Sequence, residues 1–156
     1  MQQHGNYMQE AIALANRNIE NGGGPFGALI VRKGEIVGRG GNQVTMLNDP
    51  TAHAEVMAIR DATKTLGTYN LSDCVLYTTC EPCPMCMGAI YWARISHVYY
   101  GNNRKDAANI GFDDELIYRE IALPINQRSV LMEPLLSEDA ISTFKRWQEM
   151  PDKKEY

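Results

Sequence analysis

Four cysteines, Cys74, Cys80, Cys83 and Cys86, fall within thirteen consecutive positions, the last three at three-residue intervals. A disulfide framework spreads its cysteines along the chain to staple distant segments, so this cluster points to metal ligation instead. Cys83 and Cys86 form a Cys-x-x-Cys pair, a spacing that places two thiolates on one side of a single ion. A ferredoxin run would need a further cysteine where the chain has Ile90. Upstream stands His53-Ala54-Glu55. One imidazole and two thiolates make three protein ligands and leave a fourth tetrahedral position for water. A neutral His53, two thiolates and Zn²⁺ sum to zero charge. Glu55 is two residues from His53, and at the first turn of a helix both side chains lean towards a point above the helix end. Its carboxylate then sits beside the water without ligating the metal, placed to move protons.

Plainer roles exist for each residue alone. Glu55 as a capping-box acid requires Ser or Thr at position 52, which is Ala52. Cys83 and Cys86 alone also suit a redox pair or a structural zinc site. A four-thiolate site drawing in Cys74 and Cys80 would leave His53 and Glu55 idle. A fourth thiolate from Cys80 would also close the open position, so Cys74 and Cys80 are assigned to structure.

The elements that must position these residues alternate between strand and helix. Apolar spacing predicts a helix over 9–21, stopped by Gly22-Gly23-Gly24-Pro25. Residues 28–31 and 35–44 flank a Lys33-Gly34 turn and read as a hairpin. Asn48-Asp49-Pro50-Thr51 carries cap and first-turn proline signals for a helix over 52–66, ended by Gly67. A buried strand over 73–78 precedes a helix opened by Glu81-Pro82-Cys83-Pro84 and running to about residue 94. Residues 97–100 form another strand and 129–132 a last one, with helices over 114–121 and 138–150 and a polar tail over 152–156. This order predicts a three-layer α/β/α architecture with a central mixed sheet of about five strands. Both chemical motifs fall at helix openings, where the partial positive charge favours thiolates and hydroxide.

Composition narrows the setting. The 156 residues suit one domain, 1–156, large enough for a core without disulfides. Apolar residues make up 44% and charged ones 22%, the mix of a soluble globular protein, and the net charge is −4. That acidity argues against phosphate-driven nucleic-acid binding. The longest nearly apolar stretch, 85–93, is too short to span a membrane, and residues 1–5 show no secretory signal, so a cytoplasmic location is expected.

The His-x-Glu and Pro-Cys-x-x-Cys motifs together resemble those of the zinc-dependent deaminases of the cytidine deaminase superfamily. The resemblance runs over nearly the whole chain. It includes Gly24-Pro25-Phe26-Gly27-Ala28, Asn42, residues 48–55, residues 80–86 and Ala89-Ile90-Tyr91-Trp92-Ala93-Arg94. These segments are shared with tRNA adenosine deaminases. Asp106-Ala107-Ala108, Gly111-Phe112-Asp113-Asp114, Ile117-Tyr118 and the terminal Lys153-Lys154-Glu155-Tyr156 resemble instead the bacterial guanine deaminase branch.

That resemblance implies one Zn²⁺ per subunit on His53, Cys83 and Cys86, with Glu55 as proton shuttle. It implies hydrolysis of guanine to xanthine and ammonia through a zinc-bound hydroxide. Asn42, the backbone of Ala54, Asp114 and Tyr156 would read the base edges, and Phe26 and Trp92 would flank the purine. It further implies a homodimer exchanging a C-terminal segment of about 101–156, so that Asp114 and Tyr156 come from the partner. Three other readings stay open on the residues: a tRNA adenosine deaminase, a deaminase of another nucleobase or nucleoside, and a zinc-stabilised binding module without turnover. The first wants a basic face. Arg94, Arg104-Lys105, Lys145-Arg146 and Lys153-Lys154 are scattered.

Overall fold

The computed structural model describes residues 2–156, which divide into two compact units meeting at Asp114 and Glu115. The first unit holds helix α1 (Gln2–Glu20), strands β1 (Gly27–Arg32) and β2 (Glu35–Gly41), and helices α2 (Val44–Leu47) and α3 (Ala54–Leu66). Strand β3 (Cys74–Cys80), helix α4 (Pro84–Trp92), strand β4 (His97–Asn102) and helix α5 (Arg104–Asn109) complete it. The sheet order is β2-β1-β3-β4, with β1 antiparallel to both neighbours and β3 parallel to β4.

Strand alternation builds the layers. On β1, Ala28 and Ile30 join Cys74 and Leu76 of β3 in a core with Ala54, Ala58 and Ala62 of α3 and Ile90 of α4. The residues between them, Leu29, Val31 and Tyr77, turn the other way, onto Ala11 of α1. Helices therefore cover both faces, and the three-layer mixed sheet expected from the sequence is found.

Three expectations need correction. The sheet has four strands, not about five. Residues 129–132 form no strand, because the second unit (Glu115–Tyr156) contains only helices α6 (Glu115–Ala122) and α7 (Ser137–Glu149) and a short 3-10 turn, Ile125–Gln127. With no strand beside it in that unit to complete a ladder, the segment bonds locally: Ser129 gives its N–H and its hydroxyl to Glu120 Oε2, at 2.6 and 2.8 Å. The second correction concerns α3, which starts at Ala54 and not at position 52. Asp49 Oδ1 takes both the N–H and the hydroxyl of Thr51, at 2.8 and 2.7 Å. That turn around Asp49 consumes the cap signal before the helix begins, and His53 becomes the N-cap.

Helix α1 begins well ahead of the expected position 9. Its added turns are held by tertiary contacts: Tyr7 donates to Gly34 O at 2.7 Å, and His4 Nδ1 lies 2.6 Å from the Tyr77 hydroxyl. Among the described residues, no helix is long and apolar enough to cross a membrane.

Candidate active site

Two helix N-termini carry the candidate site. α3 lies tight against β2 because Gly38 and Gly40 present no side chain to it: a Cβ on Gly40 would collide with the Ala54 carbonyl and the Ala58 nitrogen. Ala54, Ala58 and Ala62, one turn apart, keep the helix side of this contact equally thin. The first α3 hydrogen bond runs from Met57 N to His53 O, 2.9 Å, so the N–H groups of residues 54–56 lie ahead of the ladder. α4 opens in the same way. Cys83 is its N-cap, Pro84 stands in the first turn, and Met87 N donates to Cys83 O at 2.8 Å.

At these two openings His53 Nδ1 sits 3.5 Å from Cys83 Sγ and 3.7 Å from Cys86 Sγ. All three donor atoms lie within 4.8 Å of one another. Zinc bonds of ordinary length to sulfur and nitrogen, set at the tetrahedral angle, would separate such atoms by about 3.6 Å. The trio thus has the spacing of a ligand shell. Its proton chemistry agrees. Cys83 is drawn down to about 4, chiefly by the Cys86 thiol and then by His53, against its own burial. Cys86 is pushed up by holding the proton opposite Cys83, by burial and by the charge of Glu55. His53 is raised, first through its contact with Cys83. One thiolate forms readily and the second waits for a cation to displace its proton. The residues fit Zn²⁺.

Glu55 is 6% exposed, and burial pushes its carboxyl above the usual range, partly offset by its own N–H, Cys86 and Thr78. Its Oε2 is 3.4 Å from Cys86 Sγ, and its Oε1 accepts from the Thr78 hydroxyl at 3.1 Å. The carboxylate stands beside the trio and outside it.

The other expected site residues separate. Asn42 is buried at the end of β2, its Oδ1 accepting from Val44 N at 3.3 Å. Ala54, fully buried, is the first residue of α3. Phe26 packs on the α3 core and meets Phe112 edge-to-face at 4.9 Å. Asp114 pairs with Arg104, Nε to Oδ1 3.8 Å. Burial raises Asp114, Arg104 opposes this, and the negative charge of Cys83 adds to the rise, so the two acids belong to one electrostatic neighbourhood. Trp92 does not join them. It closes α4, about 12 Å along the axis from the ligand-bearing end, and is 67% exposed. Tyr156 ends the second unit, exposed.

Two contributors escaped the sequence reading. One is Thr78. The other is buried Asn18 of α1, whose Nδ2 donates to Gly24 O and Asn42 O at 2.7 Å each, tying the loop before Phe26 to the end of β2. A polar residue at a core-facing position was the available signal in both cases.

Residues 1–102 match the family model for the cytidine and deoxycytidylate deaminase zinc-binding region. The chain belongs to this deaminase family. It is 51% identical over 154 residues to the guanine deaminase of Bacillus subtilis, spanning 98% of this chain and 99% of that one. The X-ray structure of that protein matches with a TM-score of 0.95 over 98% of each chain. A guanine deaminase structure from Nitrosomonas europaea is similar at 33% identity and a TM-score of 0.68, over 70% of this chain and 64% of that one. The tRNA-specific adenosine deaminase of Streptococcus pyogenes is 46% identical over 100 residues, 64% of this chain and 63% of its own length. Within the family, then, the guanine deaminase of Bacillus subtilis shares the whole chain with this protein, and the tRNA enzyme shares a part.

Proposed function

We propose that this deaminase hydrolyses guanine to xanthine and ammonia. The observation that carries the substrate is the reach of the similarity, 154 residues with a guanine deaminase against 100 with a tRNA adenosine deaminase. His53, Cys83 and Cys86 hold the zinc ion. When bound there, zinc acidifies a coordinated water at neutral pH. Glu55 does the proton work: it takes a proton from the nucleophilic water, delivers one to a ring nitrogen and then protonates the departing amine. A C–O bond forms at C2, the C2–N bond breaks, and ammonia leaves. Its place suits Glu55 to this work, since the carboxylate is buried with one oxygen turned towards the ligand trio, within reach of a water held there.

Guanine presents ring N–H groups and an exocyclic amine, so its pocket needs acceptors. Asp114 and Asn42 supply them, with the Ala54 backbone and Tyr156, and Phe26 offers an apolar face. Trp92, the other aromatic expected to flank the purine, lies at the far end of α4 from Cys83.

Residues 1–156 act as one deaminase domain in a homodimer that exchanges a C-terminal segment; of the expected 101–156, residues 101–114 pack in the chain's own first unit, as Phe112 does on Phe26, so the exchanged part lies within Glu115–Tyr156. What supports this is that no residue of the second unit is buried, while Leu116, Ile117 and Ile121 of α6 and Ile141, Phe144 and Trp147 of α7 are exposed. Apolar surface of this extent calls for a partner. A cytoplasmic location completes the proposal.

Ammonia release from a panel of purines, pyrimidines and a tRNA anticodon stem-loop, with and without chelator, tests it. Guanine is expected to be the best substrate, with activity lost on chelation and restored by zinc. Preference for the stem-loop would overturn the substrate. Glu55→Ala should retain zinc and lose ammonia release, and a variant that kept full function would reduce the protein to a binding module. Sedimentation should return a dimer.

A further inference from the structure

Strand β3 sends Cys74, Leu76, Thr78 and Cys80 to the face covered by α3 and α4, and Val75 and Tyr77 to the face covered by α1. On the first face Cys74 and Leu76 lie in the apolar core with Ala54 and Ala58 of α3. Thr78, 1% exposed, brings a hydroxyl into that stripe. Valine has the same shape and would fill the space without a polar atom to satisfy. The Thr78 hydroxyl has a partner there: it donates to Glu55 Oε1 at 3.1 Å. The other carboxylate oxygen, Oε2, is the one turned towards the ligand trio, 3.4 Å from Cys86 Sγ. The Thr78 hydroxyl thus holds one oxygen of this carboxylate from outside the ligand trio and leaves the other turned towards it.

We propose that Thr78 is a positioning residue for deamination: it pins Oε1 of Glu55, so that Oε2 is the oxygen that accepts and returns the proton. The inference rests on the guanine deaminase reading above. An unpinned carboxylate rotates, and proton transfer at a fixed point in the reaction loses rate through misplacement while guanine still binds.

The test uses the zinc-loaded full chain, with Thr78→Val and Thr78→Ser measured beside the wild type. For T78V, kcat is expected to fall about tenfold or more with KM within about twofold, a split that a general loss of packing would not produce. T78S, which keeps the hydroxyl and loses a methyl, should recover most of kcat. Two readouts stand apart from turnover: both variants should retain the wild-type zinc content, and a crystal structure of T78V should show the Glu55 carboxylate in more than one orientation. Wild-type kcat in T78V, or a Glu55 carboxylate in one unchanged orientation there, overturns the proposal. If T78V does not fold, T78S decides: near-wild-type kcat supports the pinned hydroxyl, and a loss equal to that of Thr78→Ala sinks it. Failure of the wild type to release ammonia from guanine would defeat the substrate reading instead, and the orientation of Glu55 in T78V would then decide the role of Thr78.

Discussion

Three helices of the first unit begin in contrasting ways. At α5, Asn103 Oδ1 accepts from the N–H groups of Lys105 and Asp106 at 2.9 and 3.1 Å, and Asp106 Oδ2 answers by accepting from Asn103 N at 2.9 Å. That reciprocal box satisfies orphan donors and stabilises the helix start. At α3 and α4 the same structural position is occupied by His53 and Cys83, neither of which makes a side-chain cap hydrogen bond. Both belong to the metal-competent trio instead. The difference teaches that the two central helices forgo a side-chain cap at their N-termini in favour of metal-competent groups, while α5, which holds none of the trio, is capped in the ordinary way.

The largest test of this contrast is metal removal. Zinc binds the native arrangement, so at free zinc about a thousandfold above Kd it stabilises by about 4 kcal/mol. For a chain of this size, chelation should lower Tm by about 10 °C in a thermal scan. An unchanged Tm would mean that α3 and α4 are stable without the ion and would erase the contrast with α5.

Next comes the contact that aims α3. Gly40→Ala forces a methyl into the backbone of Ala54 and Ala58, and overpacking of this kind costs about 3 kcal/mol. Urea denaturation should show the loss, and zinc content should fall with it, because Ala54 adjoins His53. Stability lost with full zinc retention would mean that the seating of α3 and the trio are independent.

Asn103→Ala removes the cap of α5 and should cost about 1 kcal/mol in the same urea measurement, with zinc content unchanged. The smallest effect has the opposite sign. In metal-free protein His53→Ser places a proper cap on α3, so stability should rise by about 0.5 kcal/mol above metal-free wild type even though zinc binding is lost. A decrease would show that His53 is not a cap position surrendered to function.

The metal-competent trio and Glu55 were readable without coordinates because ligand chemistry is a matter of residue type and interval. His-x-Glu and Cys-x-x-Cys each sit within one helical turn, and a single turn cannot rearrange much. Three layers were readable from the order of strands and helices along the chain, although residues 28–31, apolar throughout, did not reveal which of them face α3 and which α1. Residues 129–132 misled because apolar β-formers announce a strand without announcing a neighbour, and the unit in which they lie has no strand to pair with. Trp92 was placed at the far end of α4 by spacing alone, nine residues past Cys83, and the structure puts it there. Thr78 went unseen because in a strand threonine reads like valine until its hydroxyl is given a partner.

Sequence alone determined which atoms can grip a divalent ion, how many protons they must shed to do so, and that a carboxylate stands two residues from the imidazole. Folding decided that His53 and Cys83, thirty positions apart, come within 3.5 Å. That meeting requires two helix ends aimed at one point, and the aim comes from close packing: α3 can seat on β2 only where Gly38 and Gly40 leave room for its backbone. Folding also decided which oxygen of Glu55 is held and which is turned to the ligands, because that follows from the strand face on which Thr78 falls.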